Sequence, residues 1–441
     1  MAKQPALERS PEMPYRAAPK RAERDALRRL AAKQAEIASL PIQQEHIASW
    51  KRLNSNKTGR PMVWIDEIPW HEMDIAGELR LQTEHPLCRQ AEEALRKTIY
   101  QWEHMPADMV VEPRFLVDLT IHDSGFGMEE EAETTGHLPA KPRVETDPVV
   151  SRRYLPQIQT EADIEKIRTP VVTVDRKTSE LHREIISDLF GDILKVELVG
   201  IRHHWFAPWD LLVSWWGVEQ ALTDIALKPA LVHQAMRRLM DAYLARMKQW
   251  QELNLLSFGA GNHRVGSGGP GLTDELPRPG FDPSHVRPVD QWGCATAQVF
   301  SAVSARMHGE FALRYELEWL SRFGLNYYGC CEPLHGKIGI LEKIPGLRKI
   351  SMSPWADIDI MVENTQGRYV LSYKPNPAIL AVSDWNPARV RSELAEALRR
   401  CKGCNVEIIM KDISTVNSRP ERLFEWTRIA AEVAGSSEFA G

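Results

Sequence analysis

No apolar run in this sequence approaches the roughly 18 to 20 residues needed to cross a bilayer, so a membrane-spanning helix is not expected. Positive charge is not in excess either. The formal net charge is −5, which leaves no bulk field to hold nucleic acid. The N-terminus opens polar and basic, without the apolar segment of a secretory signal, and this points to the cytosol. Cysteine is scarce, six in 441 residues, and without a secretory signal those six read as thiols rather than a disulfide framework. No Gly-x-Gly-x-x-Gly turn follows the first predicted strand, which argues against an open dinucleotide-binding sheet. The glycine-rich Gly266-Ser-Gly-Gly-Pro run lacks a following Gly-Lys-Ser/Thr, so it is not a phosphate cradle.

What the chain does have is rhythm. Residues 1–40 read as a Pro-broken arm running into a basic helix near 22–37, and residues 41–441 as the folded body. Pro61–Ile65 reads as the first strand, closing in the polar turn Asp66-Glu67, and Pro86–His104 as a helix with apolar spacing at Leu87, Ala91, Leu95 and Ile99. Val110–Leu119, Val196–Ile201 and Leu255–Phe258 are strand-like, and residues 122–150, with no period, form an irregular excursion. The last third repeats strand, polar turn, helix four times, with strands at 326–328, 347–352, 369–373 and 406–410. Parallel strands with crossover helices follow, about eight strands in all, and the fold class is α/β: a (β/α)₈ TIM barrel with an N-terminal helical extension. Chemistry in such barrels sits past the C-terminal ends of the strands.

At those ends the sharpest cluster is Cys330-Cys331-Glu332 with His335 three residues on. Thiolate, carboxylate and imidazole are zinc ligands, and soft sulfur favours zinc over magnesium or calcium. Lys374 with Asn376, and Lys411 with Asp412, occupy equivalent strand ends and suit an anion holder and a proton acceptor. Arg202-His203-His204-Trp205 follows another strand, and Asn262-His263 opens a glycine-rich loop, 259–271, with the character of a water-excluding lid; Trp292 lies beyond it. The expected catalytic residues are therefore Lys411, Asp412 and His204, with His203, Trp205, Asn262, His263, Trp292, Lys374 and Asn376 lining the substrate pocket. Vicinal thiols and a surface salt bridge explain the same residues without chemistry, and strand-end placement is what favours function.

At these residues the chain resembles the uroporphyrinogen decarboxylase superfamily, over roughly Trp50 to Ala434. The resemblance is clearest in Val303-Ser304 with Met307-His308 and Phe311, in Tyr327–Glu332, and in the Lys374–Pro377 turn. That superfamily includes porphyrinogen decarboxylases and zinc-dependent methyltransferases that work with corrinoid proteins. The resemblance implies the barrel, a site at its C-terminal mouth, and methyl transfer between a small methylated donor, such as a methoxylated aromatic, and a corrinoid protein. The methyltransferase branch is similar in placing His-x-Cys on this strand. Here its His position falls on Gly329 or Tyr328, so Cys330, Glu332, His335 or Asp412 would complete a zinc shell. No Asp-x-His-x-x-Gly corrinoid-binding sequence occurs, so the corrinoid would arrive on a partner protein. Two alternatives stand beside this: a cofactor-free decarboxylase of an aromatic or porphyrinogen-type acid, using Lys374, Lys411 and Arg202 as cations, and a non-catalytic ligand-binding barrel. A homodimer is the expected assembly.

Overall fold

The computed structural model describes residues 19–134, 152–259 and 261–439. Its strands are β1 Met62–Ile65, β2 Arg114–Asp118, β3 Thr120–Asp123, β4 Ala132–Thr134, β5 Arg152–Tyr154, β6 Val172–Asp175, β7 Lys195–Val199, β8 Trp292–Ala295, β9 Leu325–Tyr328, β10 Leu347–Met352, β11 Val370–Tyr373 and β12 Asn405–Met410. Six of them form one sheet in the order β1-β12-β11-β10-β9-β8, with every neighbouring pair parallel. The four repeats of the last third thus pair as their spacing predicts. Each return helix is cut to fit. The 387–400 helix starts with Asn386 accepting from the Arg389 amide at 3.1 Å and Pro387 in its first turn, and it buries Val390, Leu394, Ala397 and Leu398 at helical spacing. Val390, Leu394 and Leu398 join Leu371, Val406 and Ile408 of the sheet within one large apolar core.

A second parallel pair, β2 with β7, lies apart from this sheet, and beyond β7 a single parallel bridge joins Ile201 to Leu256. The strand predicted at 255–258 is reduced to that bridge. Among the described residues, no strand pairing joins β1 to β2 or β7 to β8. Side chains span both gaps. Val63 donates its amide to Asp108 Oδ2 at 2.7 Å, and the Gln291 amide nitrogen donates to the carbonyls of Ile201 (2.8 Å) and Ser257 (2.6 Å).

The excursion expected at 122–150 holds regular structure in its described part. β3 pairs antiparallel with β6, and β4 with β5, while residues 135–150 lie outside the described set. The N-terminal segment also differs from a solvated arm, since the helix Arg21–Ala38 is docked. Leu27 and Ala31 pack on Leu87, Ala91 and Leu95 and on Leu189 and Phe190, and Arg28 pairs with Asp192 at 2.6 Å. Residues 1–18 are outside the description.

The inner face of the sheet is polar, unlike the branched apolar layers common in barrels. Lys349, Ser351, Ser372, Lys374 and Glu407 are all buried there. The glycine-rich loop predicted to be a lid is what covers them. Residues 265–273 are buried without exception, and the loop enters the interior instead of closing over it. Gly268 shows why glycine is required: a Cβ there would overlap Glu407 Oε1 and the Tyr327 ring. Gly269 donates its amide to Glu407 at 3.2 Å, Asn54 donates to the carbonyls of Pro270 (2.8 Å) and Leu272 (2.7 Å), and Lys349 forms a fully buried ion pair with Glu407 at 2.8 Å. No helix among the described residues is long and apolar enough to cross a membrane.

Candidate functional site

Parallel strands end on one side, and that side gathers the thiols and the lysines. After β9 the chain turns at Gly329, whose φ of +98° lies in the region that favours glycine. The bend is fixed at three points. Ser267 donates its hydroxyl to the Gly329 carbonyl (3.1 Å), Ser351 donates to the Cys330 carbonyl (2.6 Å), and the Cys330 amide donates to Glu332 Oε2 (2.9 Å). Held this way, Cys330 Sγ lies 3.7 Å from the Lys411 ammonium, which follows β12, and 3.5 Å from Cys331 Sγ. Cys331 Sγ lies 3.9 Å from Asp412 Oδ2. The predicted thiol bend and lysine–aspartate step therefore meet at one rim.

Charge is arranged around a single sulfur. The Cys331 thiol beside it, together with Lys411 and Lys374, holds the Cys330 thiol down to about 7 against the opposing effect of burial. Its hydrogen bond to Cys330, burial, and the negative charge already on that neighbour push Cys331 far up. The pair is thus set to lose its first proton near neutral pH, and the lowered member is Cys330. Burial opposes the charge on Lys411, but Cys330, Asp412 and Glu67 raise its pKa above the ordinary lysine value. Glu67 lies 3.4 Å from the Lys411 ammonium, and Asp412 lies 3.1 Å from it. Lys374 sits beneath, fully desolvated and lowered to about 8, donating to Ser351 Oγ (2.7 Å) and Tyr327 Oη (2.9 Å).

Of the predicted zinc donors, Cys330, Cys331 and Asp412 lie together, whereas Glu332 and His335 are engaged elsewhere. Glu332 is buried with both oxygens engaged, accepting from the Thr296 hydroxyl at 2.9 and 3.1 Å, the Ala297 amide at 3.3 Å and the Cys330 amide. His335 accepts the Asp357 amide at 3.2 Å on its Nδ1. Among the described residues, no group of three or more His, Cys, Asp or Glu side chains is placed to hold a metal ion. The position a cation would take beside Cys330 is filled by the Lys411 ammonium. Glu332 and His335 are thus not placed to complete a zinc shell around the two thiols.

Other expectations divide. His203 faces inward, its Nε2 3.3 Å from the Gly266 carbonyl, and Trp205 is exposed at the rim beside it. His204, expected as catalytic, points the other way. It is packed among Trp250, Trp319 and Phe323 with Nε2 2.8 Å from Gln291 Oε1, and burial pushes it down to about 4. Neighbours on an extended segment face opposite sides, so only one of the two can serve. Trp292 is core rather than pocket wall, donating to the Gly271 carbonyl at 2.9 Å. Asn376 caps the short turn at Pro377–Leu380, and Asn262 holds the Val110 carbonyl at 2.6 Å. The His263 ring bonds the Arg202 backbone beside the inner groove. Sequence reasoning missed Glu67 as a site residue, and with it Arg264, which pairs with Asp66 (2.7 Å) and Glu67 (2.9 Å). The signal was present, since Asp66-Glu67 closes β1 at the same strand end as the rest.

Behind β9, on the helix side, Tyr328 Oη lies 2.6 Å from His308 Nε2 and donates to Glu316 Oε2 at 2.7 Å. Burial raises Glu316 to about 8. A carboxyl raised on folding binds its proton more tightly in the native state, so its stabilisation is complete below about pH 4.5 and is lost as pH climbs through about 8. The difference in urea midpoint between the native protein and Glu316→Gln is expected to change between pH 5 and 8 in the direction of lost native stability, which separates Glu316 from the buried histidines whose lowered pKa values act the other way. A difference that stays constant across that range refutes the assignment.

No family model matches the chain, and no curated protein matches it in sequence. A solved structure of a methyltransferase from Methanosarcina mazei aligns with a TM-score of 0.49 at 11% identity, over 88% of this chain and 98% of that one.

Proposed function

We propose that the chain is a methyltransferase built on a (β/α)₈ barrel of the uroporphyrinogen decarboxylase type, with the Cys330 thiolate as the methyl-accepting nucleophile. The observation that carries this reading is the Lys411 ammonium 3.7 Å from Cys330 Sγ at the C-terminal ends of parallel strands. A thiol is a nucleophile in its thiolate form, and a neighbouring ammonium keeps it ionised near neutral pH. In the step, Cys330 Sγ attacks the methyl carbon of a small donor. The sulfur–carbon bond forms as the donor bond breaks, and the electrons of that bond leave with the departing group. Lys411 and Lys374 stabilise the thiolate before transfer and again when the methyl group moves on. Cys331, protonated, donates towards Cys330. The onward acceptor we propose is a corrinoid carried by a partner protein. The decarboxylase alternative is weaker, because Lys374 and Lys411, two of its three carboxylate-binding cations, are already engaged.

Methylcobalamin serves as the probe donor. Incubation followed by peptide mass spectrometry is expected to place one added methyl group on the Cys330 peptide, in buffer containing a strong chelator as well as without it. Transfer that stops with chelator and returns with zinc sinks the lysine-held nucleophile.

A further inference from the structure

Of the six cysteines, Cys330 and Cys331 bring their sulfurs together, 3.5 Å apart at the rim of the site. Cys330 is buried and Cys331 half-buried, so one sulfur is shielded while its neighbour meets solvent. The other four are set differently. Cys88, Cys294 and Cys401 are buried, and burial pushes each thiol up to about 12. Cys404 is half-buried and also raised by burial. Cys401 and Cys404 share a turn, the Cys404 amide donating to the Cys401 carbonyl at 2.9 Å, and they provide an internal control.

The adjacent thiols are placed to meet an electrophilic oxygen. The Lys411 ammonium, 3.7 Å from Cys330 Sγ, favours the thiolate, which is the attacking form. Cys331 Sγ lies 3.9 Å from Asp412 Oδ2, a carboxylate able to take its proton. A sulfur–sulfur bond requires approach to about 2.05 Å. The hydrogen bonds that fix the bend hold the Gly329 carbonyl and the amide and carbonyl of Cys330, and use no backbone atom of Cys331. The approach therefore falls to Cys331. A bridge between sequence neighbours strains the backbone, and strain makes a disulfide easier to reduce.

We propose that Cys330 and Cys331 form an oxidation site, at which a hydroperoxide converts the two thiols into a vicinal disulfide that small thiols reopen. The inference goes beyond the methyl-transfer reading and does not rest on it. In the first step Cys330 Sγ attacks the outer peroxide oxygen and the O–O bond breaks. The departing oxygen takes a proton from Lys411, and Cys330 is left as a sulfenic acid. Cys331 then passes its proton to Asp412 and attacks the Cys330 sulfur. The S–S bond forms as the S–O bond breaks, and hydroxide leaves as water with the proton from Asp412. The two sulfurs lose two electrons and the peroxide oxygens gain them; Lys411 recovers its proton from solvent. A small thiol reverses the change through a mixed disulfide.

Hydrogen peroxide is the probe, applied to the full chain with a strong chelator and without it. Mass spectrometry is expected to find the peptide carrying both cysteines lighter by two hydrogens, and dithiothreitol to restore it. The reaction is expected to run at least about tenfold faster than oxidation of Cys401 and Cys404, in line with the larger thiolate fraction. In Cys331→Ser the sulfenic acid persists on Cys330 and is trapped by dimedone. No reaction, earlier oxidation of Cys401 and Cys404, or sulfinic acid in place of the disulfide overturns the proposal. Oxidation only in the presence of chelator also overturns it, because the thiols would then be holding a metal. The native-chain result decides by itself if the serine variant fails to fold. The two readings fail separately: a disulfide without methylation of Cys330 removes only the methyl-transfer reading, and methylation of thiols that peroxide leaves unpaired does the reverse.

Discussion

Cys330→Ser is expected to lower methyl transfer by about a thousandfold or more, as loss of a covalent nucleophile does in enzymes whose residues act as a unit. A serine hydroxyl stays protonated near neutral pH, so Lys411 has no thiolate to stabilise. Cys331→Ser keeps a hydrogen-bond donor beside Cys330 and leaves both lysines in place, and a loss of about tenfold or less is expected from one weakened hydrogen bond. Rates with methylcobalamin for both variants, each checked for folding, decide the matter. An equal collapse in Cys331→Ser would move the nucleophile to the more exposed sulfur.

The second large effect is on stability. Lys349 and Glu407 are both fully buried, and Lys349 also lies 5.7 Å from the ring centres of Trp50 and Trp292. Lys349→Met leaves the Glu407 carboxylate with the Gly269 amide at 3.2 Å and no counter-charge, and is expected to cost about 3–5 kcal/mol. Replacing both partners, as Lys349→Met with Glu407→Leu, removes the stranded charge and is expected to recover most of that loss. Chemical denaturation midpoints for the single and double variants give the comparison. A single variant as stable as the native chain would mean that the carboxyl is neutral and the pair is not ionic.

The parallel sheet was legible because its signals are local. Polar turns at Asp66-Glu67, Lys374-Pro375 and Lys411-Asp412 close short apolar strands, and helical spacing such as Val390, Leu394, Leu398 follows. The meeting of Cys330 with Lys411 followed from the same regularity, since parallel strands deliver their ends to one side. What the pattern could not give was direction. Whether His203 or His204 faces inward depends on strand parity, and the two differ only in which neighbours the fold supplies. Glu332 was chosen for its chemistry, yet the backbone amides of its own bend and of Ala297 claim its oxygens first. The glycine-rich loop misled for a related reason. Glycine marks freedom of the backbone in a surface lid and close packing in an interior segment, and composition does not tell the two apart.

Because a connecting segment packs against the inner strand side chains, one stretch of chain underlies the Gly329–Cys330 bend. Lengthening or shortening residues 265–273 would reshape that support while leaving the six-stranded ladder intact. The ground under the thiols is thus written in a single insert of the chain rather than in the strands themselves.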